Sequence, residues 1–127
     1  GERMGIENVA GSVTPKFGVF APARNGGTIS VRYFMPWKTH PTMAVTGAQC
    51  MASCALAPGT VADGMLITPD DSPATITLEH PSGTIEVVVD YRVTNSGLVL
   101  NSAGLVRTAR KLADGKVYIP ATVWSGR

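Results

Sequence analysis

Hydrophobic residues recur every three or four positions across residues 41–59, a segment without a charged residue. On a helix, one face of this segment would carry Met43, Gly47, Cys50, Met51, Cys54 and Ala55. The opposite face is small and only weakly polar, so a sheet can surround most of the helix without burying a charge. The pattern predicts a buried central helix that begins properly only near Thr46. Gln49, Ser53 and Pro58 interrupt it before it reaches the roughly 20 apolar residues that a membrane span needs.

Alternating apolar and polar residues predict strands before and after this helix. The predicted strands are residues 17–21, 28–35, 75–79, 84–93, 98–110 and 116–119. The first is expected to be an edge strand, and most links between strands are of hairpin length, which favours antiparallel pairing. The expected fold class is therefore α+β, with one central helix wrapped by a curved, mostly antiparallel sheet of about six strands.

Length and charge limit the class of protein. The 127 residues suit a single domain, residues 1–127. The 11 basic and 9 acidic side chains give a net charge of +2 and are scattered along the chain. Because no basic run or aromatic–basic interleaving occurs, a nucleic-acid partner is not expected. No leader or membrane-spanning pattern is seen either, so the expected compartment is the cytoplasm, with no membrane partner.

The start of the predicted helix is a candidate site for binding an anion. A helix N-terminus presents backbone N–H groups without partners and the positive end of the helix dipole. Thr46, Gly47 and Ala48 occupy this position. Thr46 would add a hydroxyl donor, and Gly47 would let a ligand approach the backbone. The same residues would equally serve as a helix cap and a packing glycine, so the pattern alone leaves both interpretations open.

Two further segments offer polar groups to such a site. The link from His80 to Gly83 can present the hydroxyl of Ser82 and backbone donors, or it can be a plain hairpin turn. His40, in the loop before the helix, can act as an acid, a base or an anion contact. Lys38 in the same loop can also contact an anion. Solvated side chains remain the alternative for both.

The two cysteines are interpreted as core residues. Cys50 and Cys54 lie one turn apart on the predicted helix, a spacing that does not allow a disulfide without distortion. With only two histidines, both distant in sequence, a four-ligand zinc set is not expected. No nucleotide loop, dinucleotide fingerprint or serine nucleophile elbow is present, so no cofactor or metal is predicted.

Four motifs occur in order along the chain. They are THPTMAVTGAQC, ALAPGTV, EHPSGTIEV and LVRTARKLADGKVYIP. Together they resemble the carboxy-terminal half of the PrpF-like family of methylaconitate isomerases and oxalomesaconate tautomerases, over about residues 13–124. That family has the diaminopimelate epimerase fold. The resemblance implies two pseudo-symmetric halves, each with a curved sheet around a central helix. It also implies a tricarboxylate-like substrate, held between the two helix N-termini and isomerised by proton transfer at carbon.

One position departs from the pattern of the epimerases, where a cysteine heads the second-half helix. Aligning the Gly-Thr-Gly type turn with residues 45–47 places Ala44 where that thiol would be, and Ala44 cannot transfer a proton. In the isomerase branch the acid–base residues are expected from the other half. The resemblance therefore implies no catalytic residue in this chain. It implies anion-binding roles for Thr46, Gly47 and Ala48, with Ser82 and Gly83 as further positions.

Two functions follow as hypotheses. The first is a half-domain that binds a small polycarboxylate, is inactive alone, and pairs with a missing amino-terminal half or with a second copy of itself. In the second hypothesis the chain is a non-catalytic structural or interaction module that keeps the fold. Trp124 and the predicted strand 116–119 are the candidate contacts of a homodimer, because an unpaired strand edge invites pairing.

Overall fold

Five strands form one sheet in the computed structural model, which describes residues 1–66 and 69–126. The strands are β1 (Phe17–Pro22), β2 (Ile29–Phe34), β3 (Ala74–His80), β4 (Gly83–Thr94) and β5 (Gly97–Leu105). The α-helix α1 (Val45–Leu56) lies between β2 and β3 in the chain, and two short 3-10 helices (Glu2–Met4 and Val9–Gly11) precede β1. The sheet is strongly curled, so the prediction of a curved sheet with one helix is confirmed.

The strands lie side by side in chain order, from β1 at one edge to β5 at the other. All neighbouring pairs are antiparallel except β2 and β3, which run parallel. A parallel pair needs a long crossover, and the segment containing α1 supplies it. The parallel ladder is short: it pairs Ile29 with Leu78 and Ser30 with Glu79. A mostly antiparallel sheet was the correct expectation, but the hairpin-length links gave no sign of the parallel pair.

The predicted sixth strand, residues 116–119, is wrong. The chain leaves β5 at Leu105, and residues 106–120 have no regular secondary structure. Strand propensity alone does not hold a segment extended in water, because a strand is stabilised by pairing with a neighbour. Leu112, Val117 and Tyr118 are 85%, 88% and 87% exposed. This C-terminal segment (residues 106–126) therefore contributes little to the core.

The hydrophobic core lies between α1 and the inner face of the sheet, where α1 packs against β3, β4 and β5. The largest fully buried side chains are Ile29, Ile76, Leu78, Val31, Val87 and Val89. From the helix side the core takes Met43, Ala48, Met51, Ala52, Ala55 and Leu56. The alternation on β2 and β4 predicted most of the inward residues correctly, but Val93, expected on the inward face of β4, is 55% exposed.

Cys50 and Cys54 are not the core residues that the sequence predicted. Cys50 is exposed and Cys54 only half-buried. The sheet contacts a stripe centred on Ala48 and Ala52, which have no solvent exposure. These small side chains let the helix backbone approach the sheet closely, and the buried stripe is therefore rotated away from both thiols. Met43 and Met51 are buried as predicted.

A buried carboxylate joins the β1–β2 turn to β3. Glu79 is 3% exposed, and it accepts hydrogen bonds from the Arg24 N–H at 2.9 Å, the Asn25 N–H at 2.6 Å, the Gly27 N–H at 2.9 Å and the Ser30 hydroxyl. The Ser30 hydroxyl and the Arg24 and Gly27 amides are the main groups that lower the pKa of Glu79 to about 2. The ionised side chain therefore holds the turn against the sheet.

Candidate functional site

The N-terminus of α1 has no side-chain cap. Ala44 is the N-cap residue, and its carbonyl accepts the first helical hydrogen bond from the Ala48 N–H at 2.8 Å. Among residues 1–66 and 69–126, no group accepts a hydrogen bond from the N–H groups of Val45, Thr46 and Gly47. Three donors are therefore available at the positive end of the helix dipole. Ala48 is fully buried and its N–H is already bonded, so this residue serves packing.

Tyr33 fills the space beside Gly47. A Cβ atom built on Gly47 would lie 2.8 Å from both Cε2 and Cζ of the Tyr33 ring and 3.2 Å from its hydroxyl oxygen. Gly47 is therefore a close-packing glycine, as one of the two sequence interpretations had it. The contact also places a phenolic hydroxyl beside the first turn of α1.

A groove of about 350 Å³ runs between this turn and the start of β1. Its lining includes Lys16, Tyr33, Thr46, Gly47 and Cys50. Thr46 and Cys50 share one side of the helix because they are four residues apart. The residues that line the groove thus include a lysine, two residues with hydroxyl groups and a cysteine, next to the unpaired amides of the first turn. A lysine beside unpaired helix N–H groups is an arrangement that can bind an anion.

Sequence reasoning did not assign a functional role to Lys16, Tyr33 or Cys50. Lys16 lies in a loop with no motif, and the alternation of β2 indicated only that Tyr33 faces inward. Cys50 was placed in the core because it fits the apolar period of the helix. Only the packing of β1 and β2 beside α1 brings the three residues together, and no local pattern encodes that packing.

The loop before α1 lies against the β3–β4 turn. The Ser82 hydroxyl donates to the Pro41 carbonyl oxygen at 2.7 Å. Nδ1 of His40 accepts from the Thr42 N–H at 3.1 Å, and the His40 N–H donates to the Tyr33 carbonyl oxygen at 2.7 Å. The structure therefore brings the turn containing Ser82 and Gly83 close to the loop containing His40. The two residues that join these segments, Pro41 and Ser82, are 41 positions apart in the sequence.

Lys38 lies further out, in a tight turn that leaves β2. Its carbonyl oxygen accepts from the Met35 N–H at 2.9 Å, and its side chain is exposed.

Within the described part of the chain, no cluster of three or more His, Cys, Asp or Glu side chains is arranged to hold a metal ion. No helix of the described residues is both long enough and apolar enough to cross a membrane.

Comparison with known proteins identifies relatives that match between 63% and 99% of this chain. The chain is 40% identical over 119 residues to a (4E)-oxalomesaconate Delta-isomerase of Novosphingobium, which covers 94% of this chain and 32% of that protein. It is 37% identical to a 4-oxalomesaconate tautomerase of Pseudomonas putida, over 99% of this chain and 34% of that protein. A 3-methylitaconate isomerase of Eubacterium barkeri is 38% identical over 63% of this chain and 20% of its own length.

These relatives share an isomerase or tautomerase name, and the chain spans about a third of the length of the first two. The family model described as PrpF protein matches residues 1–120. That match covers α1, all five strands and most of the C-terminal segment. The chain therefore belongs to the PrpF family.

Proposed function

We propose that this chain is the carboxy-terminal half-domain of an isomerase or tautomerase and that it binds a small polycarboxylate at the N-terminus of α1. The unpaired N–H groups of Val45, Thr46 and Gly47 carry this proposal, because they form a ready site for a carboxylate. Lys16 lines the adjoining groove and would contact a second carboxylate. The relatives are named for oxalomesaconate or 3-methylitaconate, and these names support a small polycarboxylate as the ligand.

Binding can be tested by NMR titration of the chain with trans-aconitate as the tricarboxylate probe. The amide signals of residues 45–47 should shift in a saturable manner, and Thr46→Ala should weaken binding severalfold. Thr75→Ala is the matched control, because Thr75 is also exposed but lies at the far end of β3. A titration that leaves the amides of residues 45–47 unmoved would contradict the proposal.

The isolated chain is not expected to catalyse isomerisation. Ala44 stands at the head of α1 and carries no proton-transferring group. The Cys50 thiol lines the groove, but no hydrogen bond joins it to a base among the described residues. General acid–base catalysis needs a positioned donor and acceptor pair. Exchange of deuterium from solvent into oxalomesaconate should therefore equal the buffer control, and a rate that Thr46→Ala abolishes would overturn this expectation.

The exposed C-terminal segment also favours a role for this chain in binding another polypeptide. Leu112, Val117 and Tyr118 lie within seven residues of one another and leave apolar side chains in solvent, which a partner surface could bury. We propose that the rest of the family protein, or a second copy of this chain, covers this segment. Sedimentation equilibrium at high micromolar concentration tests the second copy. A strictly monomeric species there would exclude the homodimer and leave the missing half as the partner.

A further inference from the structure

Two His-Pro segments of the chain adopt the same local turn. In the segment from His40 to Thr42, the histidine Nδ1 accepts the N–H of Thr42 at 3.1 Å. In the segment from His80 to Ser82, the histidine Nδ1 accepts the N–H of Ser82 at 3.2 Å. One direct hydrogen bond links the segments, from the Ser82 hydroxyl to the Pro41 carbonyl oxygen at 2.7 Å.

This bond limits what Ser82 can offer to a ligand. A serine hydroxyl has one hydrogen to donate, and a carboxylate only accepts. Since Ser82 already donates to Pro41, it would present lone pairs to a bound carboxylate, which is repulsive. Thr46 differs, because no described group accepts a hydrogen bond from its hydroxyl. The hydroxyls of Thr46 and Ser82 therefore have different roles.

The bonded carbonyl belongs to the loop that leads directly into α1. Pro41 lies three residues before the N-cap Ala44. The loop is held at His40 by β2, through the Tyr33 carbonyl oxygen, and at Met43 by the core, where the side chain is 4% exposed. The Ser82 bond is the contact that ties the intervening proline to the β3–β4 turn. It therefore helps to set the path by which the chain enters the helix.

We infer that Ser82 is a positioning residue, which holds the loop before α1 and so fixes the orientation of the first-turn N–H groups. Its effect on ligand affinity rests on the proposed function, whereas its effect on the loop does not. Removing the hydroxyl should let residues 41–44 move without unfolding the domain. The net contribution of such a hydrogen bond corresponds to about a three- to tenfold change in affinity.

The test compares Ser82→Ala with Ser82→Thr, which keeps a hydroxyl, and with Ser96→Ala. Ser96 is an exposed serine in the β4–β5 turn, and its hydrogen bonds are local, to Thr94. Without ligand, Ser82→Ala should shift the amide signals of residues 42–47 and lower their NMR order parameters, while the domain stays folded and still unfolds cooperatively. It should also weaken trans-aconitate binding about three- to tenfold. Ser82→Thr and Ser96→Ala should resemble the wild type in both measurements.

Two outcomes would overturn the inference. One is a Ser82→Ala protein whose loop signals and order parameters match the wild type. The other is lost affinity with an unchanged loop, which would make Ser82 a direct ligand contact. If the wild type binds no trans-aconitate, the proposed function fails by itself, and the ligand-free spectra still decide the role of Ser82.

Discussion

The close contact between Gly47 and Tyr33 makes Gly47→Ala a sharp test of how α1 packs. In an ordinary helix interior this substitution stabilises a protein by about 1 kcal/mol, because glycine has more backbone freedom to lose on folding. Here the new methyl group would lie 2.8 Å from two atoms of the Tyr33 ring. An aromatic ring in a packed site cannot bend away as the end of a flexible side chain can, so the helix or the ring must shift.

The two effects have opposite signs and similar sizes. Overpacking a well-packed site costs about 1–3 kcal/mol, against the gain of about 1 kcal/mol from helix propensity. We expect a net loss of about 1 kcal/mol, which corresponds to a fall in Tm of roughly 4 °C for a domain of this size. In a Tyr33→Ala background the overlap is absent, and Gly47→Ala should then stabilise by about 0.5–1 kcal/mol.

The test is a double-mutant cycle, in which urea denaturation gives the free energy of unfolding of the wild type, Gly47→Ala, Tyr33→Ala and the double variant. The sign of the Gly47→Ala effect should reverse between the two backgrounds, with a coupling free energy of about 2 kcal/mol. If Gly47→Ala stabilises both backgrounds equally, the ring does not occupy the space beside Gly47 and the packing described for the site is incorrect.

Three further substitutions test other parts of the fold. The folded-state pKa of Glu79 is lowered to about 2, so its contribution to the free energy of unfolding should be fully present above about pH 4.5 and be lost as the pH falls toward 2. In urea denaturation measured across this pH range, Glu79→Gln should make the midpoint less dependent on pH. Met51→Asp places a charge at a site that is 5% exposed and should unfold the domain, so a cooperatively melting variant would contradict the core assignment. Ser53→Ala removes a buried hydroxyl without a described partner and should raise the free energy of unfolding by about 1 kcal/mol in denaturant titrations; a destabilised variant would reveal a hidden partner.

The elements that the sequence predicted well are those whose signal is local. Period-two alternation located β2 and β4, and the uncharged apolar stretch located α1 to within a few residues of its ends. The wrong predictions concern tertiary contacts: which face of α1 packs on the sheet, and which segments pair as strands. Cys50 fits an apolar helical period, but the sheet packs against the stripe of Ala48 and Ala52, which lie two positions on either side of it. Residues 116–119 have strand character, but no described strand lies beside them to pair with.

The site was predictable only in part, for the same reason. A helix start is visible in sequence, so Thr46 and Gly47 were correctly placed in the first turn of α1. The contribution of Lys16 to the groove depends on where β1 lies relative to α1. The Ser82 bond joins residues 41 apart, and neither partner carries a local signal of the other. Whether these residues bind a polycarboxylate stays a prediction.

The short parallel ladder between β2 and β3 divides the sheet into two blocks of unequal cohesion. Long antiparallel ladders hold β3, β4 and β5 together, whereas the β1–β2 hairpin joins them through two residue pairs, the Thr28–Thr77 hydrogen bonds and the Glu79 carboxylate. Such an arrangement favours sub-global opening, in which one block detaches while the other stays folded. The hairpin amides should therefore exchange with solvent at lower free energy than those of β4. The groove beside α1 is built across this division, since Lys16 and Tyr33 approach it from the hairpin's side, and it would open with the hairpin.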